Sequence, residues 1–86
     1  MMKSLVYERG LVVGGEQIVL SLFRTSLGFT LERRLIERDQ TVFVQVLPIM
    51  TLNDVQRFSA ADVYSKELVP LYYEVRRHLV EIHTLE

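Results

Sequence analysis

His78 and His83 are the chain's two imidazoles, and no cysteine is present. Thiol nucleophiles, thiolate metal sites and disulfides are therefore excluded. The histidines are five positions apart, so a helix turns their side chains roughly 140° from each other. No serine or threonine stands with either histidine in a known local signature, which leaves Ser–His acyl transfer without sequence support. Glu74, His78 and Glu81 follow one another at i, i+4 and i+7, a spacing that sets three divalent-metal donors on one helical face. The same spacing describes a solvated, salt-linked stripe, and we read it so. Gly10, Gly14, Gly15 and Gly28 fit no phosphate-binding loop and read as turn glycines. These residues predict no catalysis, no metal and no cofactor. An enzyme with an unrecognised site assembled from scattered residues ranks third among the functions considered.

Arginine supplies eight of the ten basic side chains, although the net charge is only −1. Such a balance gives no bulk attraction to nucleic acid or anionic lipid. Arg9 and Arg33 are the two cations with the most to explain. In the strand register set out below they share one row of the sheet and flank Leu20 on the face that should be core. Their backbones then lie about 10 Å apart. A buried guanidinium needs a partner. Asp62, Glu67 or Glu74 would supply one, and a phosphate or carboxylate bound by both arginines is the competing use. The salt-bridge role is the expectation here.

The elements that must position these residues follow from period and turns. Before Pro48 the apolar residues alternate, and after it they recur every three to four. Gly14-Gly15, Thr25 to Gly28 and Glu37 to Gln40 are turn signals. They divide 1–49 into strands at about 3–13, 16–24, 29–36 and 41–49. Pairing across these turns collects Leu5, Tyr7, Leu11, Val13, Ile18, Leu20, Leu22, Phe29, Leu31, Leu35, Val42, Val44 and Val46 on one face. Only Arg9, Glu16, Arg24 and Arg33 interrupt it. Thr51 with Asp54 marks a helix start, and Leu52, Val55 and Phe58 carry it over 51–60. Ser59-Ala-Ala-Asp62 repeats the pattern, so a bend is expected there. Leu68, Tyr72, Val75, Leu79 and Ile82 predict a helix over 67–83, with Pro70 in its first turn. The fold class is thus α+β, a four-stranded antiparallel meander followed by two helices. A mostly helical chain with one hairpin or strand is the alternative, because Glu16 to Leu27 also fits a helix and Leu31 to Arg38 is rich in helix formers.

At 86 residues the chain is read as one domain over 1–84. Leu85-Glu86, a pair that expression vectors leave ahead of a histidine tag, carries no weight. No run of about 20 apolar residues is present, and Met1-Met2-Lys3 opens no signal peptide, so a cytoplasmic, non-membrane protein is expected.

Val19, Phe23, Ile36, Phe43 and Leu47 fall on the opposite sheet face, and Tyr73 and Val80 lie off the main stripe of the last helix. Their apolar excess predicts an interface, unless the helix at 51–60 or the first strand covers the sheet. The leading function is a small protein-interaction module, an adaptor or regulatory subunit that pairs with itself as a homodimer or with another protein. The alternative rests on topology. A meander followed by a helix resembles the whirly-type and coactivator-type single-stranded DNA-binding domains, and that resemblance implies nucleic-acid contacts from Arg24 and Arg34 beside Phe23 and Phe43.

Overall fold

The computed structural model describes residues 3–82; His83, the Leu85-Glu86 pair and the side chain of Ile82 lie outside that description. The chain forms β1 (Lys3–Val13), β2 (Glu16–Thr25), β3 (Gly28–Glu37), β4 (Gln40–Ile49), α1 (Leu52–Ala61) and α2 (Ser65–Ile82). The strands make one antiparallel sheet in the order β1-β2-β3-β4. The expected α+β meander is therefore present, and the helical alternative for 16–38 is not.

All three turns place a residue at positive φ. Gly14 and Gly15 have φ of +57° and +83°, and Arg38 and Asp39 have 51° and 63°. Such pairs give a hairpin the twist of its strands. In the middle turn Gly28 has φ of +131°, and the Leu27 N–H donates to Thr25 Oγ1 at 3.1 Å.

Both helices pack on one face of the sheet. Ile18, Leu20 and Leu22 of β2 and Leu31 of β3 are fully enclosed there, with Leu68, Val75 and Leu79 of α2 and Val55 of α1 against them. The start of α1 is fastened by Asp54, whose carboxylate accepts the N–H groups of Met50 (2.7 Å) and Thr51 (2.9 Å). α2 begins at Ser65, earlier than expected, because Asp62 directs the chain into it. The Ser65 N–H donates to the Asp62 carbonyl at 3.0 Å, and the Tyr64 N–H donates to Asp62 Oδ1 at 2.9 Å. Pro70 consequently lies past the first turn, at an exposed position where the carbonyl of Lys66 loses its helical donor.

The expected core face needs two corrections, and each has a one-residue cause. Between β3 and β4 the register shifts, so Ile36 faces Thr41 but Leu35 faces Phe43. Val42 is the extra residue. A slip of one exchanges the faces of every residue beyond it. Val44 and Val46 therefore leave the core face and stand exposed on the far side, while Phe43, Gln45, Leu47 and Ile49 turn toward the helices. Pro48 gives the physical reason. Without the bulge it would sit opposite Phe29 at a hydrogen-bonded position and owe β3 an N–H it does not have. With the bulge it faces Thr30, where backbone groups point outward. A second shift between Leu5 and Tyr7 moves Leu5 to the far face, opposite Phe23.

That far face bears no helix, and the β1 strand does not curl over it. Long side chains cover its centre instead. Arg34 Nη2 donates to Glu8 Oε2 at 3.0 Å, Ser21 Oγ donates to the same oxygen at 2.6 Å, and Lys3 Nζ reaches Glu32 at 2.7 Å. Lys3 also lies 4.2 Å from the centroid of the Phe23 ring. Beneath this lattice Ser21 and Val19 are buried.

The register makes a direct test. Leu31→Ala should lower the free energy of unfolding by about 2.7–5 kcal/mol, the range for an enclosed leucine. Val44→Ala, on the exposed face, should change it by less than about 1 kcal/mol. Urea denaturation of the two variants decides the matter, and equal losses would restore Val44 to the core.

Candidate functional site

β4 reads Gln-Thr-Val-Phe-Val-Gln-Val-Leu-Pro-Ile over Gln40–Ile49, without one charged side chain. It is also an edge of the sheet. Every residue from Gln40 to Val46 is exposed, including Val42, Phe43, Val44 and Val46. The helices explain the exposure. α1 starts just beyond the end of β4, and α2 crosses toward β1 and β2, so the middle of β4 has no cover on its helix side. A groove of about 350 Å³ remains between β4 and the α1–α2 turn, lined by Arg33, Phe43, Gln45, Leu47, Phe58, Ala61, Asp62, Val63 and Tyr72.

The polar end of this groove is a closed network. Arg33 presents Nε to Asp62 Oδ2 at 2.7 Å and Nη2 to Oδ1 at 2.9 Å, a two-pronged pair. The Tyr72 hydroxyl donates to Oδ2 at 2.6 Å. The Asp62 side chain is almost wholly enclosed and that of Arg33 nearly so. Burial opposes the charge on Asp62, but hydrogen bonds from Arg33, Tyr72 and the Tyr64 N–H outweigh it and hold the carboxyl below its ordinary value. Burial, joined by the bond to Asp62, pushes the Tyr72 hydroxyl well up. One helix further link runs from the Tyr64 hydroxyl to Glu16 Oε1 at 2.7 Å, tying the interhelical turn to β2. Glu16 is lowered by that bond and by Glu37, and Glu37 is raised by the bond it shares with Glu16.

The expected row of Arg9, Leu20 and Arg33 is present in the register and continues to Gln45. Its two cations meet different surroundings. The fork of Arg33 is taken by Asp62, one of the three carboxylates expected for it. Arg9 is exposed on β1, beside the Tyr7 hydroxyl and in the field of Glu74. Glu74 and Glu81 are both bridged by Arg77, at 2.7 and 2.9 Å. His78 lies with its ring centroid 4.6 Å from that of Tyr7, and its Nδ1 donates to the Glu74 carbonyl at 2.8 Å. Among the described residues, no three His, Asp or Glu side chains converge as metal ligands, and no helix is long and apolar enough to cross a membrane.

The seven interface residues, expected on two surfaces, the far sheet face and the outer side of the last helix, are divided by the structure among three. Val19, Phe23 and Ile36 belong to the far sheet face, where Val19 is buried and the other two half-buried. Phe43 and Leu47 line the groove, because the bulge at Val42 turns them over. Tyr73 and Val80 are exposed on the outer side of α2. The nucleic-acid set is divided too. Phe23 and Arg34 share the far face, whereas Arg24 and Phe43 have the opposite parity. Tyr64, Tyr72, Phe58 and Gln45 were not anticipated at the site. Tyr72 carried a signal, since a phenol on an apolar helical stripe needs a buried acceptor. Gln45 carried none before the bulge was known.

Two outcomes test the network. Arg33→Leu leaves Asp62 buried without its cation and should cost about 3 kcal/mol in urea unfolding. Asp62 binds its proton less readily folded than unfolded, so its contribution is complete above the ordinary value of 3.8 and fades as pH falls through the lower folded value. The thermal midpoint should therefore fall as the pH is taken down below about 4, and Asp62→Asn should lessen that fall. A wild-type midpoint independent of pH across this window would contradict the assignment.

Comparisons of the chain with family models, with characterised proteins and with solved structures find no match.

Proposed function

We propose that the protein is a small cytosolic protein-interaction module, an adaptor or regulatory subunit that works as a homodimer and performs no catalysis. The observation that carries this is β4, an edge strand of ten residues with no charge, exposed on both faces from Gln40 to Val46 and beside the groove that Phe43, Leu47 and Phe58 line. Soluble proteins blunt such edges with lysine, proline, bulges or cover, because unpaired N–H and C=O groups recruit further strands. β1, the other edge, follows that rule with Lys3, Glu8 and Arg9 exposed along it. β4 keeps only its bulge and Pro48, and both lie toward its ends. Exposed apolar surface of this kind supports a partner contact more than an enzyme site.

The single-stranded nucleic-acid alternative has less support. It needs Phe23, Phe43, Arg24 and Arg34 on one surface, and they stand on two. Arg34 is also held by Glu8, and a net charge of −1 adds no attraction.

The test is mass in solution. The wild type should sediment as a dimer at high micromolar concentration. Phe43→Glu should yield a folded monomer with a lower thermal midpoint than the wild type at equal concentration. A wild type that stays monomeric would end the homodimer reading.

A further inference from the structure

We propose that a second copy of the chain pairs edge to edge with β4, antiparallel about a two-fold axis at Gln45, so that the two sheets run on as one. This rests on the self-association put forward above and adds its surface and its register.

Backbone direction along an antiparallel strand alternates, so each residue trades its bonds with one neighbour and turns nothing to the other side. Glu37 and Gln40 close a two-residue turn and form a hydrogen-bonded pair. Counting along β3 from Glu37, the residues Leu35, Arg33, Leu31 and Phe29 bond toward β4. Their partners Phe43, Gln45, Leu47 and Ile49 therefore face inward. Val44 and Val46 point N–H and C=O out of the sheet. Pro48 falls in the same outward class, where its missing N–H costs the sheet nothing.

These outward groups admit one good register. Val44 faces Val46 of the partner subunit and Val46 faces Val44 of the partner subunit, each pairing trading both bonds. Gln45 then meets its own copy on the axis. A slip of one residue sets outward groups against inward ones. A slip of two toward Pro48 asks the proline for a donor, and a slip of two the other way recruits bulged Val42. The side chains agree with the backbone. Phe43 comes opposite Leu47 of the partner subunit on the helix side, and the valines cluster on the far side. Because β4 carries no charge, a copy of itself brings no like-charge repulsion. Symmetric closure uses each edge once and leaves no further strand site on β4. A contact of this length buries less than about 1,200 Å², so dissociation in the micromolar range is expected.

The absence of cysteine makes the test clean, since one introduced thiol reports one position. Opposed β-carbons at a non-hydrogen-bonded pair lie about 4.5–5.5 Å apart, close to disulfide reach. Gln45→Cys should therefore form a covalent dimer under mild oxidant roughly tenfold faster than Val12→Cys, an exposed position on β1, because pairing raises the local thiol concentration. Phe43→Cys and Leu47→Cys should cross-link when mixed and far more slowly apart. Circular dichroism confirms that each variant is folded. If the wild type sediments as a dimer but Gln45→Cys gains nothing over Val12→Cys, this pairing is overturned and self-association stands on another surface. A monomeric wild type removes both.

Discussion

A guanidinium on the apolar face of a sheet is tolerable only where its charge is met in place. Arg33 stands on β3 among Leu31, Leu20 and Leu35, and Asp62 meets it with both carboxylate oxygens. The same carboxylate accepts the Tyr72 hydroxyl and the Tyr64 N–H, so one acid joins the sheet, the turn between the helices and the body of α2. Remove it and three separate donors lose their acceptor. A hydrophobic contact could have held the layers as strongly, since buried pairs seldom exceed apolar packing in net stability. What the pair supplies is position: the break between α1 and α2 must occur over the middle of β3.

That position decides what the helices leave bare. α1 ends at Ala61, and α2 departs from Ser65 along β2 and β1. β4 lies on the other side of the Arg33–Asp62 row and receives only the start of α1. The groove beside Phe43 and Leu47 is the consequence. It lies beside the uncharged edge of β4, and it is this coincidence, rather than any one residue, that supports the interaction role proposed above. β1 shows the contrast, because its charged side chains guard the opposite edge.

The far face illustrates a different solution to exposure. No second layer covers it, yet Val19 and Ser21 are enclosed. Glu8, Arg34, Lys3 and Glu32 lie flat over the strands, paying out charge in mutual pairs while their stems shield the sheet. A face that looks too apolar when residues are counted becomes presentable to water once long polar side chains fold down on it.

Much of the architecture was legible from residue order alone. Alternation before Pro48, helical spacing after it and three local turn signals were enough for four strands, two helices and an antiparallel meander, because each depends on neighbours within a few residues. Even the row containing Arg9 and Arg33 followed from parity, and the need to satisfy a buried charge narrowed the partner to Asp62, Glu67 or Glu74, among which only the packing of the helices chose. The faces of β4 did not. Val42, Val44 and Val46 make a faultless alternating strand, and only pairing with β3 shows that Val42 bulges out and that Phe43 and Leu47 face the helices. A bulge has little local signature; it is chosen by long-range demands, here the missing N–H of Pro48 and the better burial of Leu47 and Ile49. Because strand faces alternate with a period of two, that single displaced residue reassigned the whole edge, and with it the surface most able to act.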